Sequence, residues 1–213
     1  MKKFGLDTGA NYLDCGSGFG THAVPLARAG RQVTVVEFNR QLVSQLRSSL
    51  KAAELERLQI EEADIQQLLP TAPAEKWDVV LCAGDTLTHM NSKANARIVV
   101  SEAARVLVKG GRLAVEYRDS SQLRLEGTSR FLPVRRDGQR SMHCFLEVLD
   151  AERLRVTDII TDVGAQGPET RFSDYVKVRI GVDELRQWIE SAGMEVIDEA
   201  TERGMTTIVA AKR

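Results

Sequence analysis

An aspartate followed by glycines at alternate positions stands near the start of the chain: Asp14, then Gly16, Gly18 and Gly20, with Cys15 and Ser17 between them. Apolar Tyr12 and Leu13 lead into the acid, and a helix-like segment, Thr21 to Arg28, follows. Glycine has no Cβ, so such a stretch can turn tightly and let a ligand approach the main chain. The free N–H groups at the start of the next helix then face that ligand. In dinucleotide enzymes the same geometry receives a pyrophosphate. Here Asp14 sits at the mouth, where a carboxylate would repel phosphate, and a cationic or zwitterionic nucleoside fits better. By itself the glycine spacing also suits an ordinary strand–helix junction.

Two further acids narrow the reading. Glu37 ends the β-branched run Gln32 to Val36, about twenty residues after the glycines. A carboxylate there can accept hydrogen bonds from both hydroxyls of a ribose, with Phe38 beside it as a further candidate contact. Asp64 closes a third element, Leu58 to Ala63. It can accept from an adenine amino group while the backbone N–H of Ile65 serves a ring nitrogen. Asp-Ile-Gln-Gln-Leu also reads as a capped helix start, and the two roles are compatible. After the apolar run Trp77 to Cys82, the small residues Ala83 and Gly84 leave room for a ligand tail. S-adenosylmethionine, with its sulfonium and amino group, is a cationic nucleoside of the kind these acids would take.

The elements that must position these residues follow from periodicity. Strands are expected at the residues before Asp14, over Gln32–Val36, Leu58–Ala63, Trp77–Cys82 and Gly111–Tyr117. The near-continuous apolar run after Asp78 suits a strand covered on both faces. Asn95 to Val108 places Ile98, Val99, Ala103 and Val106 at helical spacing. Three strands are expected in residues 120–180: Ser141–Asp150, Arg153–Val163 and Thr170–Ile180. In the last, Phe172, Asp174 and Val176 share one face, and Ser173, Tyr175 and Lys177 the other. A helix over Val182–Ala192 and two antiparallel edge strands, Met194–Ala200 and Thr206–Lys212, complete the chain.

The glycine motif, the acids Glu37 and Asp64 and the Gly110-Gly111 turn before the fifth strand together resemble the class I S-adenosylmethionine-dependent methyltransferases, over residues 10–119 and 182–213. The sequence departs at Lys109, where that family commonly has proline. The resemblance implies an α/β fold: a Rossmann-like, doubly wound, seven-stranded, mostly parallel sheet with an antiparallel last strand. An antiparallel β lobe is inserted in it. Residues 1–119 and 181–213 would form the cofactor-binding core, and 120–180 the lobe, as a substrate cap or a dimer contact. It also implies that Asp14, Cys15, Gly16, Ser17, Gly18, Glu37, Phe38, Asp64 and Ile65 hold S-adenosylmethionine, with Ala83 and Gly84 flanking its methionine end. The segments Cys82–Met90 and Val115–Asp119 are similar to those of glycine and sarcosine N-methyltransferases. The inserted lobe is similar to that group's and to that of the sugar-amine N-methyltransferases. Family members usually carry helices before the first strand that help cover the cofactor. Here the strand begins near Asn11, so the cover is expected upstream, from a partner chain, or not at all.

Methyl transfer from a sulfonium needs an acceptor lone pair held in line with the departing sulfur, about 3 Å from the methyl. An amine acceptor must be neutral to have that lone pair. Arg118, after the fifth strand, is the candidate anchor for a substrate carboxylate, with a surface ion pair to Asp119 or Glu116 as its alternative. His89 can orient or deprotonate the acceptor or make a local polar contact. Tyr117 and Tyr175 can line a pocket for a cationic amine through their ring faces, or simply pack. His22 reads as a local contact, and His143 carries no signal.

The acceptor class is bounded by composition. A formal net charge of −1 over 213 residues gives no overall pull toward nucleic acid or anionic membrane. No Asn-Pro-Pro-Tyr-type tetrapeptide follows the fourth strand, which argues against methylation of a nucleic-acid base. No apolar run approaches the roughly 20 residues of a membrane span, and Met1 to Asp7 lack the apolar run of a signal peptide. Cys15, Cys82 and Cys144 are isolated and suggest reduced thiols in a cytoplasm. No Cys or His spacing suggests a metal site. The expectation is a cytoplasmic N-methyltransferase acting on a small molecule, possible as a homodimer. Methylation of a metabolite oxygen or a tRNA, or a non-catalytic cofactor-binding subunit that needs a partner, are the alternatives.

Overall fold

The structure is a computed structural model and describes residue 6 and residues 9–213. The signal-peptide reading over Met1–Asp7 therefore falls almost wholly outside the described residues. In chain order the core elements are β1 (Asn11–Cys15), α1 (Ala23–Arg28), β2 (Gln32–Glu37), α2 (Arg40–Ser49), α3 (Ala52–Leu55), β3 (Leu58–Glu62), α4 (Ile65–Thr71), β4 (Trp77–Cys82), α5 (Lys93–Val106) and β5 (Leu107–Tyr117). Four strands follow: β6 (Phe131–Asp137), β7 (Arg140–Val148), β8 (Arg153–Gly164) and β9 (Gly167–Val178). The chain then returns to the core through α6 (Val182–Ser191), β10 (Met194–Glu202) and β11 (Met205–Lys212).

Seven strands form one sheet in the order β10-β11-β5-β4-β1-β2-β3. β1, β2, β3, β4 and β5 are parallel, and β11 is antiparallel to both β5 and β10. Alternate residues serve the two faces, as the pleat requires. Leu13, Val36, Val80 and Leu113 pack toward Val99 and Val100 of α5 and Leu185 and Ile189 of α6. Tyr12, Val33, Val35 and Val79 pack toward Leu26 and Ala27 of α1 and Leu46 of α2. Helices thus cover both faces, the doubly wound arrangement expected from the sequence.

The pairing corrects one expectation. β11 is no edge strand: it lies between β10 and β5, with Ile208, Val209 and Ala210 fully buried. β10 is the edge; it carries charged residues such as Glu195 and Glu199 and a bulge between Val196 and Asp198, both common protections of a free strand edge. β5 also starts earlier than expected. Leu107 pairs with Trp77 and Arg112 with Val79, so Val108–Gly111 bulge out opposite Asp78.

The inserted lobe is a separate antiparallel meander in the order β6-β7-β8-β9. Three of its strands are the expected ones. β6 escaped the sequence reading: Pro133 counts against a strand, and its arginines break any apolar alternation. It is an edge strand, and Pro133 sits at its bulge. Cys144, Leu146, Leu154 and Val156 form the lobe's own small buried cluster on the face turned to the core. No described helix is long and apolar enough to cross a membrane.

Candidate functional site

The glycine turn joins β1 to α1 at the end of the sheet where the parallel strands finish. Gly16, Gly18 and Gly20 have φ of 70°, 56° and 75°, a left-handed conformation that L side chains resist. The turn is tied to β2: the Gly16 and Ser17 N–H groups donate to Val36 O at 2.8 and 3.3 Å. A Cβ on Gly16 would lie 2.5 Å from Thr86 Cγ2, whereas one on Gly18 would meet open space. Thr86 Oγ1 donates to Ala83 O at 2.8 Å and to Gly16 O at 3.3 Å. Gly16 therefore closes the turn against the segment after β4, and Gly18 leaves a bare backbone facing the adjoining cleft.

That cleft, about 490 Å³, is walled by Gly16, Gly18, Glu37, Phe38, Asp64, Ile65, Gly84 and His89, among the residues expected from the sequence. Glu37 is 5% exposed. One carboxylate oxygen accepts from Gly18 N at 3.0 Å and the other from Asn39 N at 2.9 Å. Four lone-pair positions belong to a carboxylate, so two remain for ribose hydroxyls. Asp64 caps α4 through Gln66 N at 2.8 Å and is also part of the cleft wall. The helix-start reading is thus met, in a position that leaves Asp64 facing the cleft. Leu42, Thr86, Met90 and Asn91 are also in the wall. Thr86 and Met90 belong to the Cys82–Met90 segment noted in the sequence, whereas Leu42 and Asn91 lie outside every stretch singled out there.

Four expected cofactor residues, Asp14, Cys15, Ser17 and Ala83, are not part of this wall. Asp14 does not sit at the mouth. It is 1% exposed, beneath the turn, and accepts a hydrogen bond from the backbone N–H of Ala23 at the start of α1. Burial raises its pKa to about 7, against the lowering effect of that hydrogen bond and with a further rise from the Glu37 charge. Asp14 Oδ2 and Ser17 Oγ have no partner among the described residues, so polar demand is unmet beneath the glycine turn. Cys15 points into the core, where burial holds its thiol well above the usual range. Together, the acids Glu37 and Asp64, the bare Gly18 and Gly84 and the unmet polar atoms fit S-adenosylmethionine.

A second cavity, about 540 Å³, opens between the ends of β4 and β5 and the inner face of the lobe. Gly84 and Tyr175 belong to the walls of both. The Tyr175 ring stacks on His89, centroids 5.1 Å apart and planes at 27°. Burial, and then the Lys177 charge, lower the His89 pKa. Asp85, at φ 73°, is clamped in place. Its N–H donates to Glu116 O at 3.0 Å, its Oδ1 accepts from Arg118 N at 3.0 Å, and its Oδ2 accepts from Lys177 Nζ at 2.5 Å. Among the expected residues, Arg118 lines this cavity, and the ion pairs that would make it a surface residue are absent. Glu116 instead accepts from Gly84 N at 3.2 Å. Asp119 accepts from Ser121 N and Val182 N at 2.8 and 3.3 Å.

Tyr117 is a correction. It is fully buried among the α5 and α6 contacts of the sheet and lines neither cavity. Strand alternation explains it: Tyr117 shares a face with Val115 and Leu113, and Glu116 and Arg118 take the other direction. Lys177 was missed although the period-two pattern placed it beside Tyr175. Among the described residues no cluster of His, Cys, Asp and Glu is placed to hold a metal ion.

Comparison with known proteins agrees with this geometry. The family model described as a methyltransferase domain matches residues 13–111. No curated protein sequence matches the chain. The fold is similar to that of the CcbJ methyltransferase from Streptomyces caelestis, with a TM-score of 0.83 at 19% identity over 98% of this chain and 86% of that one. It is similar also to CalS10, an amino pentose methyltransferase from Micromonospora echinaspora solved with S-adenosylmethionine bound. There the TM-score is 0.78 at 18% identity over 97% and 84% of the two chains. A third similar structure is the sugar N-methyltransferase KedS8 from Streptoalloteichus sp ATCC 53650, with a TM-score of 0.75 at 17% identity over 96% and 81%. Residues 13–111 thus match a methyltransferase domain, and most of the cleft built at the glycine turn lies within that stretch.

Proposed function

We propose that this protein methylates a nitrogen of a small-molecule acceptor bound between the sheet end and the inserted lobe. The observation that carries the reading is the shared wall of the two cavities, Gly84 and Tyr175. An acceptor in the second cavity can there reach a methyl presented from the first. S-adenosylmethionine supplies that methyl on a sulfonium, and the residues of this chain position and deprotonate. Glu37 and Asp64 hold the nucleoside end. His89, its pKa lowered, is neutral near pH 7 and can take a proton from an acceptor ammonium, freeing the lone pair. Arg118 can anchor an acceptor carboxylate. Similar folds described as a sugar N-methyltransferase and a glycopeptide N-methyltransferase support nitrogen as the atom. Three buried free cysteines, Cys15, Cys82 and Cys144, support a reducing, cytoplasmic setting.

The test is transfer of an isotopically labelled methyl to a panel of amines, with the product located by mass spectrometry and its rate followed against pH. If His89 is the base, kcat/KM should fall in acid with a midpoint below 6.5, the ordinary histidine value, and His89→Gln should remove that limb. A profile unchanged in the variant would take the proton away from His89. Oxygen methylation is a second reading, favoured by the Lys177 ammonium beside the shared wall, which would stabilise an oxyanion. Labelled ester or ether products would select it.

A further inference from the structure

The turn between β10 and β11 holds two consecutive left-handed residues, Arg203 at φ 51° and Gly204 at φ 75°, with Glu202 paired to Met205 on either side. A two-residue hairpin of this kind is ordinarily built from Asn, Asp and Gly, because both central residues need positive φ. A long cation in the first place is a strained choice. β11 pairs with β5 at Thr206 and Tyr117, which brings the turn alongside Arg118. The bare α-carbon of Gly204 makes room for it: a Cβ there would lie 2.7 Å from Arg118 Nη1. Both arginines line the second cavity. Among the described residues neither guanidinium has a carboxylate partner. Asp85, the acid in this wall among the described residues, is engaged with Lys177, and Asp158, across the strands from Cys144, accepts from the Cys144 thiol at 3.1 Å. The rest of the wall is largely apolar, with Leu132, Met142, Leu146, Leu154, Val156 and Met205 among its residues.

We infer that Arg118 and Arg203 form an anion subsite, and that the acceptor is an amphipathic amine with an apolar body and a carboxylate or phosphate end. This rests on the methyltransferase reading above and adds the chemistry of the acceptor. Two unpaired guanidiniums can share one anion through charge-assisted hydrogen bonds. A cavity of about 540 Å³ is of the size that encloses drug-sized ligands, far larger than glycine or sarcosine requires. The apolar wall gives such a body a reason to enter, and the cations fix which end faces the hairpin. The strain at Arg203 has a use on this account, since only a long side chain reaches from the turn to the cavity rim.

The probes are the ω-amino acids from glycine to aminooctanoate, their phosphonate analogues, and the matching alkylamines. They are titrated calorimetrically into the full chain saturated with S-adenosylhomocysteine. Affinity of the acids should rise with length, by up to about fourfold for each methylene that enters the apolar wall. Aminooctanoate should bind roughly tenfold tighter than octylamine, since a hydrogen-bonded ion pair separates them. The carboxylate and phosphonate series distinguish the two anions. Arg203→Asn keeps a residue suited to the left-handed turn and should abolish the preference for acid over amine, and Arg203→Lys should restore part of it. No dependence on length, equal binding of octylamine, failure of every probe to bind, or an intact acid preference in Arg203→Asn would overturn the inference. The nitrogen reading fails separately. Amines methylated without any acid preference would leave it standing and remove the subsite. Acids bound with the predicted preference but methylated at the carboxylate would do the reverse.

Discussion

The buried carboxylate of Asp14 makes the stability of this protein depend on pH in an unusual direction. Its folded pKa, about 7, lies above the ordinary 3.8, so the folded state holds a proton that the unfolded state gives up. Stability is therefore greatest in acid with respect to this group and declines as pH rises from about 4 to about 7, by a few kcal/mol at most. Asp14→Asn should differ least from the parent in thermal unfolding near pH 4 and gain on it progressively up to about pH 7, melting higher near pH 8, without cofactor. Equal melting near pH 4 and near pH 8 would show that Asp14 is not buried as an acid. Glu37 is an acceptor for two backbone N–H groups and, on this reading, for two ribose hydroxyls. Glu37→Ala should weaken S-adenosylhomocysteine binding by roughly ten- to a hundredfold, from losing hydrogen bonds to a charged group, and should also lower the melting temperature. Both acids were visible in the sequence because each ends a strand at the expected spacing. Which way each side chain turns was not. Asp14 lies under the turn and Tyr117 inside the core because strand alternation, set by register, decides the facing, and no local pattern reveals it.

The glycine turn works only because the segment after β4 comes up against it. With a Cβ on Gly16, Thr86 would be met at 2.5 Å and the backbone held at φ 70°, two penalties of roughly 1–3 kcal/mol each. Gly16→Ala should therefore abolish cofactor binding in calorimetry while the far-ultraviolet circular dichroism of the folded chain persists. Unchanged cofactor affinity would mean that the turn can shift away from Thr86. Every strand of the core could be read from short apolar runs and the turn residues that bound them. The misreadings have a common origin in pairing at a distance. β11 looked like an edge because hydrophobic alternation says nothing about neighbours, yet it is enclosed by β5 and β10. β6 went unread because Pro133 and a row of arginines argue against a strand, and only pairing with β7 makes it one. Lys177 and Arg203 reach the site by the same long-range route.

At the scale of the molecule the lobe presents two different faces. The inner one walls the second cavity, where a substrate cap of the kind expected for residues 120–180 would act. The outer one leaves apolar side chains in water, Phe131 at 55% and Phe172 at 69% exposure. Ile159 pairs with Phe172 across the strands. Exposed apolar patches often mark association, and the homodimer expected from the sequence would use this face. Light scattering should then find a dimer at micromolar concentration, and Phe172→Glu should return a monomer with unchanged affinity for S-adenosylhomocysteine. A monomeric parent would leave the face without that role. The division between core and lobe has a consequence for how such a protein can be retooled. On the proposed function, the cofactor would be held chiefly by the ends of β1, β2, β3 and β4, whereas the second cavity is walled largely by residues of β6, β7, β8 and β9. Exchanging Leu132, Met142, Leu146, Leu154 or Val156 alters only the inward face of a self-contained meander. New acceptors can in this way be selected, in a laboratory library or over generations, while the methyl-donating half is inherited untouched.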